Sequence, residues 1–536
     1  MKRILVVLMF ASIVFTAETF AGGIVTNANQ SAAYIRMPAQ DATLSIDGVY
    51  YNPAGLVFLP DGLHISINNQ YITQTRKISS TFPNMNRTEF KGGVVAPIFP
   101  GIYVAYKKDK AAFSLGFNPI GGGGSAKFDN GLPSFEQQVA VLPGALTAAG
   151  ITTTQYSFQS EFEGRSLMYG IQVNGSYAIN EMISFSLGIR CIIAKNFYDG
   201  YMRNIQINPN KTGFGAAYDG TNMVSAPQFF TDAAAVLTSL STGATSLATG
   251  LAAVPAATPV SALPAGTQTQ LATILGAANI STTGMNVGTA IASLNGVAPA
   301  FAAQSTTMSG YAAMTADKEA DVTQSGFGYS PIIGIDLKLS DKLNIGFRYE
   351  QRAKIEAKNK TTKDDVHLWP DGVNNPNDMP TTISLGAQYK ATDKLKLAGG
   401  VHYYFDKGAE YGKVKSRTAT GVPTFYDNKD VIDNNFLEIA LGGEYAVSDK
   451  LLVSAGYLRT QSGVNELYQS DLSHSLSTNT LGAGGKYIIN DKVGVNVGIM
   501  YSNYLKETKP FTTPLNYEET YKRYALVFAL GVDLKF

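Results

Sequence analysis

Few side chains in this sequence are spaced to do chemistry. Four histidines, His64, His367, His402 and His474, lie far apart, and a lone cysteine, Cys191, has no thiol partner. None of them shows the spacing of a metal centre. No Gly-x-Ser-x-Gly elbow, no phosphate-cradling glycine loop with a lysine and no Ser/His/carboxylate set stands out. The sequence therefore implies no enzyme, cofactor or metal. Attention falls instead on Arg190, Arg348, Glu350, Lys396, Glu438 and Glu444, which all occupy the polar face of alternating segments. Arg190, Arg348 or Lys396 could hold a ligand carboxylate through charge-assisted bonds. The simpler reading is that these charges pair with each other and with other parts of the chain.

The elements that carry them follow a period of two. In "YALVFALGVDLKF", Tyr524, Leu526, Phe528, Leu530, Val532, Leu534 and Phe536 share one face; smaller and polar residues share the other. Val493 to Tyr501, Leu343 to Tyr349 and Ile183 to Ile189 alternate likewise. A soluble sandwich would also alternate, but three features oppose it. Short turns alternate with long ones. Tyr106, Tyr177, Tyr389, Tyr445 and Tyr487 lie on the apolar face beside short turns, as an interfacial girdle would. The chain also ends on an aromatic residue after an alternating run.

The short turns are Ser340-Asp341-Lys342, Thr392-Asp393-Lys394, Ser448-Asp449-Lys450, Asn490-Asp491-Lys492, Lys107 to Lys110 and Asn180-Glu181. Such short polar segments between alternating runs signal hairpins. Six hairpins plus one strand at each end make fourteen strands. The fold class is thus an all-β, transmembrane antiparallel barrel in the bacterial outer membrane, with 61–536 as barrel and 198–324 as a long extracellular loop. Within that loop, Leu237, Leu240, Leu247 and Leu251 fall at helical spacing, which suggests short amphipathic helices; a low-complexity surface insertion is the alternative. Lys2, Arg3, the apolar run Ile4 to Phe15 and Thr19-Phe20-Ala21 read as a signal peptide over 1–21. Residues 22–60 are too few for a domain and too apolar for a free tail, so they are assigned to a plug in the lumen. Here Asn52 can cap a short helix and Pro53 suits its first position, with Ala54 next.

With a signal peptide, a plug carrying Asn52-Pro53-Ala54, fourteen strands and a C-terminal Phe, the chain resembles the FadL family. These are outer-membrane transporters of long-chain fatty acids and other hydrophobic compounds. The resemblance implies passive uptake, a plug that shifts, and lateral exit at a kinked third strand. The matching stretch is "AAFSLGFNPIGGGGSAKF", where Asn118, Pro119, Gly121, Gly122, Gly123 and Gly124 would form the opening. Equally, the strand could end there and the glycines begin a loop. A surface-interaction protein acting through its long third loop is the alternative function. The expected partners are a hydrophobic small molecule, outer-membrane lipid and lipopolysaccharide, and the barrel-assembly machinery through the C-terminal strand. A net charge of +1 gives no reason to invoke nucleic acid, and a monomer is expected.

Overall fold

The repeated tripeptides are one device. In the computed structural model, which describes residues 24–536 apart from 419 and 514, the first side chain of each closes its own turn. Ser340 Oγ accepts from the Leu343 N–H (3.1 Å), Thr392 Oγ1 from Leu395 (3.0 Å), Ser448 Oγ from Leu451 (3.2 Å) and Asn490 Oδ1 from Val493 (3.0 Å). Asn180 does the same for Ile183 at 2.9 Å. Ser, Thr and Asn mimic a backbone turn in this way, so the sequence repeat is a repeat of hairpin chemistry. The expected signal peptide and Gly22 lie outside the described residues.

Between the turns run the wall strands β1 Gly62–Ser80, β2 Glu89–Lys108, β3 Ala111–Phe128, β4 Tyr156–Ala178, β5 Ile183–Ile207, β6 Lys318–Lys338 and β7 Leu343–Glu350. They continue as β8 Thr382–Lys390, β9 Leu395–Tyr404, β10 Phe436–Ala446, β11 Leu451–Gln461, β12 Thr478–Asn490, β13 Val493–Tyr504 and β14 Tyr517–Lys535. Each pairs with its neighbours, and β1 closes on β14 from His64↔Lys535 to Ser80↔Glu519. The fourteen-strand antiparallel barrel is therefore closed, with no free edge to leave backbone groups bare in lipid. β7 and β13 resume after breaks as Glu356–Asp364 and Glu507–Phe511.

Alternation sets the two faces. The five girdle tyrosines are all exposed on the wall, from 45% for Tyr445 to 50% for Tyr487. Phe113, Leu187, Leu441, Leu481, Phe528 and Leu530 are exposed beside them, whereas the residues between point inward and are buried. An apolar face turned out from the core is what a lipid solvent selects.

The chain divides into two compact units. Of the described residues, one unit takes in 24–136, Ser160–Tyr201 and Glu319–Phe536 and holds the barrel and its plug. The other takes in Gln137–Gln159 and Met202–Lys318 and contains the long third insertion. That insertion is shorter than the expected 198–324, because the inward pattern of β5 continues through Tyr198, Met202, Ile205 and Ile207. It is folded rather than low in structure. Helices Ala226–Leu251, Ala265–Ala277 and Val287–Thr315 pack Leu237, Ala244 and Leu251 with Leu271, Leu294 and Phe301. Ser225 and Asn286 cap the two long helices.

Replacing Leu530, which is 54% exposed on the lipid face, with Arg is expected to cost about 2–4 kcal/mol near the bilayer centre. Heat-modifiable migration on gels should show a lower folded fraction; an unchanged fraction would reverse the assignment of faces.

Candidate functional site

From Ile24 to Leu59 the chain runs inside the barrel, almost wholly buried. It carries short helical turns at Ala32–Arg36, Gly48–Tyr51 and Pro53–Phe58. Asn52 Oδ1 accepts from the Ala54 N–H (3.3 Å), while its Nδ2 donates to the Ile335 carbonyl (3.0 Å) and to Asp336 Oδ2 (3.2 Å) of β6. The Pro53 and Ala54 carbonyls accept from Ser176 and Ser184 of the wall, each at 2.7 Å. The Asn-Pro-Ala motif thus caps one 3₁₀ turn and fastens it to β4, β5 and β6.

Glycines on the inner wall make the seat. A Cβ on Gly442 would come within 2.4 Å of Met37, on Gly456 within 2.6 Å of Pro38, on Gly482 within 2.4 Å of the Ile35 carbonyl, and on Gly386 within 2.6 Å of Asp41. Side chains there would expel the plug, since packed interiors absorb little added volume.

The wall is incomplete beside the plug. β2 and β3 pair from Lys108↔Ala111 to Ile102↔Phe117 and meet again only at Gly93↔Lys127. β4 pairs with the intervening part of β3 across bulges at Pro119/Gly121 and Gly122/Gly124. Asn118 to Gly124 therefore lie within a strand that runs on to Phe128, not at the start of a loop. Their open side is occupied by the plug. The Asn27 N–H donates to the Ile120 carbonyl (2.7 Å), and the Gly122 N–H donates to the Val25 carbonyl (3.2 Å). Asn27 Nδ2 reaches the Gly122 carbonyl (2.8 Å), and Gln30 Nε2 reaches that of Pro119 (3.1 Å). Thr26 pairs with Gly121 as an isolated antiparallel bridge.

The lumen charges are mutually satisfied. Arg190 and Arg348 both pair with Glu350 and lie over the Tyr50 ring, 4.8 and 5.4 Å from its centroid. Lys396 pairs with Glu444 at 2.8 Å, which also takes Arg36 of the plug. His402 joins plug to wall: its Nε2 lies 2.6 Å from Asp41 Oδ1 and its Nδ1 2.9 Å from Glu438 Oε2. The cations singled out in the sequence thus already have carboxylate partners. A cavity of about 30 Å³ lies between Tyr50, Arg190, Arg348 and His402, room for about one water.

Two other arginines, Arg76 on β1 and Arg523 on β14, were not among the sequence candidates. They are direct cross-strand partners and are 3% and 2% exposed. Neither forms an ion pair among the described residues, and no group of His, Cys, Asp and Glu there is placed to hold a metal. Knowing the β1–β14 register would have exposed this juxtaposition, because it sets one arginine opposite the other.

In the outer connection after β9, the buried Asp406 carboxylate accepts from Tyr411 Oη, from the Phe436 N–H (3.3 Å) and from the backbone of Ile24, the first described plug residue. Burial pushes its pKa up to about 7, despite these donors.

These features define a hatch-filled outer-membrane β-barrel whose wall is completed in part by its own plug. The family model described as outer membrane protein transport protein (OMPP1/FadL/TodX) matches residues 275–536. That match covers just under half of the chain and likens it to a family of passive outer-membrane transporters of hydrophobic compounds, which are channels rather than enzymes. The fold is that of a Pseudomonas aeruginosa FadL homologue, with 11% identity over 97% of this chain and 100% of that one and a TM-score of 0.56. It is also that of the Pseudomonas putida toluene transporter TodX, with 14% identity over 92% and 94% and a TM-score of 0.50. No curated protein matches the chain by sequence.

Asn52→Ala should remove the cap, about 1 kcal/mol, together with both wall bonds. Hydrogen exchange of the plug should accelerate in a barrel that still assembles; unchanged protection would show the motif to be dispensable. Asp406 carries a pH signature. Its folded pKa lies above the unfolded 3.8, so folding favours the protonated form, and its contribution, full below pH ~4, is lost as pH rises to about 7. Asp406→Asn should flatten the fall in melting temperature across that window, and an unaltered slope would contradict the burial argument.

Proposed function

We propose that the protein takes up hydrophobic molecules passively and delivers them sideways into the membrane between β2 and β3. The observation that carries this reading is the missing ladder between Ile102↔Phe117 and Gly93↔Lys127, where plug atoms stand in for a strand. A hydrophobic solute gains nothing by entering periplasmic water, where each re-exposed methylene costs roughly 0.8 kcal/mol. A side exit keeps it in an apolar phase. Withdrawal of Val25–Asn27 frees the gap, and the wall elsewhere stays paired. Pro119 suits this strand because it has no N–H to leave bare on the open side. The outer-membrane lipid is then the acceptor, and the barrel works as a monomer.

Asn27 and Ile120 are neighbours across the short plug–wall ladder, within the Cα separation that a disulfide spans. In a Cys191→Ser background, Asn27→Cys with Ile120→Cys should lock the plug to β3 on oxidation. Uptake of a fluorescent long-chain fatty acid and of toluene should fall at least tenfold and recover on reduction. Uptake indifferent to oxidation would place the exit elsewhere.

A further inference from the structure

The outward face of β6 changes character at one level. It is apolar through Ile335, Ile333, Tyr329 and Phe327, the last two 61% and 60% exposed. Ser325, Thr323, Asp321 and Glu319 then follow toward the outer end. An aromatic pair beneath a polar run marks the edge of the apolar band, where acyl chains give way to head groups.

Beside that edge runs the resumed part of β7, Glu356–Asp364. Its Ala357 and Asn359 are buried on the lumen side, so Lys358 and Lys360 point away from the lumen, and both are exposed. The register sets Lys358 opposite Ser325 on one side and opposite Asn374 of the short strand Asn374–Pro376 on the other. Lys360 stands opposite Thr323. Direct partners on one face have Cβ atoms about 5 Å apart, and residues two apart along a strand are separated by about 6.6 Å. Ammoniums, hydroxyls and an amide thus form a compact outward patch of hydrogen-bond donors. Neither Lys358 nor Lys360 forms an ion pair among the described residues, whereas the flanking cations do: Lys354 lies 3.8 Å from Glu356 and Lys363 3.2 Å from Asp365. Asp371, in the turn before Asn374, accepts from the Thr361 N–H (3.0 Å). On the other side of β6, β4 and β5 carry Glu161, Glu163 and Asp199 on their outward faces. These repel an anion, which leaves the β7 lysines as its place on this part of the rim.

We propose that Lys358 and Lys360, with Ser325, Thr323 and Asn374, are a docking surface for a phosphate group of lipopolysaccharide, whose acyl chains lie along Phe327, Tyr329 and Ile333. The level of the patch selects this occupant. A soluble anion gains nothing from the edge of an apolar band, whereas a phosphate borne on an acylated sugar is held at that height by its own chains. Lipopolysaccharide is the lipid of the outer leaflet that has this build. A phosphate accepts charge-assisted bonds from both ammoniums at once, and from the hydroxyls beside them. The surface lies on the outside of the wall, on strands that do not border the gap between β2 and β3, so it is independent of the uptake route and of what the lumen carries.

The test is equilibrium binding to the full-length protein in an uncharged detergent, with lipid A carrying its phosphates and dephosphorylated lipid A as probes. The phosphorylated form should bind at least tenfold more tightly. Lys358→Ala combined with Lys360→Ala should abolish that preference. Lys394→Ala combined with Lys450→Ala, two exposed lysines on the short turns at the other end of the barrel, should leave it within twofold. Equal binding of the two lipid A forms to the unaltered protein would overturn the proposal without recourse to any variant. So would a preference that survives in the Lys358/Lys360 variant, or one lost to the same extent in the turn variant, since that would mark an effect of net charge alone. Displacement of phosphorylated lipid A by phosphatidylglycerol or by inorganic phosphate at equal concentration would overturn the assignment to lipopolysaccharide.

Discussion

Backbone hydrogen bonding in a lipid solvent governs this molecule. A barrel satisfies its wall groups by closing on itself, and an unsatisfied N–H or C=O in hydrocarbon costs several kcal/mol. From Asn118 onward β3 gives up its β2 neighbour, yet the carbonyls of Pro119, Ile120 and Gly122 and the N–H of Gly122 are all taken by plug residues. Plug and wall therefore cannot be treated as stopper and pipe. The plug's first described residues are a wall component, and the hole they fill exists only because they fill it.

This accounts for the care with which the rest of the plug is seated. If Val25–Asn27 is to exchange between two positions, the remainder must stay fixed or the lumen would open to water. Glycines at inward positions of β8, β10, β11 and β12 let the plug backbone approach the wall closely. Asn52 spans from the plug to β6, and His402 is held between Asp41 of the plug and Glu438 of the wall. These are buried bonds with complementary charge, which are expensive to break singly. The gap contacts described above differ in kind, since on the wall side all of them end on backbone, at the Pro119, Ile120 and Gly122 carbonyls and the Gly122 N–H.

The architecture was legible in the sequence because lipid and lumen impose opposite demands on alternate residues. The girdle tyrosines, the turn tripeptides and the terminal run of β14 each carry that signal locally. Asn52 was legible for the same reason, since a capping residue acts on its immediate neighbours. Pairings between distant segments were not. Nothing local distinguishes Arg190, which meets Glu350, from Arg523, which meets Arg76; both are arginines on an inward face. The difference lies in register between strands far apart in sequence. The same applies to the gap, where glycines and a proline mark irregular backbone but only the position of β2 and the plug shows which side is open. The third insertion misled at its edge because past Phe197 the outward residues of β5, Asp199, Arg203 and Gln206, are polar while the inward ones stay largely apolar, the reverse of the pattern read elsewhere along the wall.

A passive channel needs binding strong enough to capture and weak enough to release. The interior cavities beside Tyr50 and beside Phe128, about 30 and 20 Å³, are each too small for a hydrophobic chain. Admission must displace side chains, and something has to favour that displacement. Transfer out of water supplies it, at about 0.8 kcal/mol for each methylene. On the side exit proposed above, a solute keeps that contribution as it passes into lipid beside the stretch of β3 that has no β2 partner, so no energy source is needed and the direction is set by concentration.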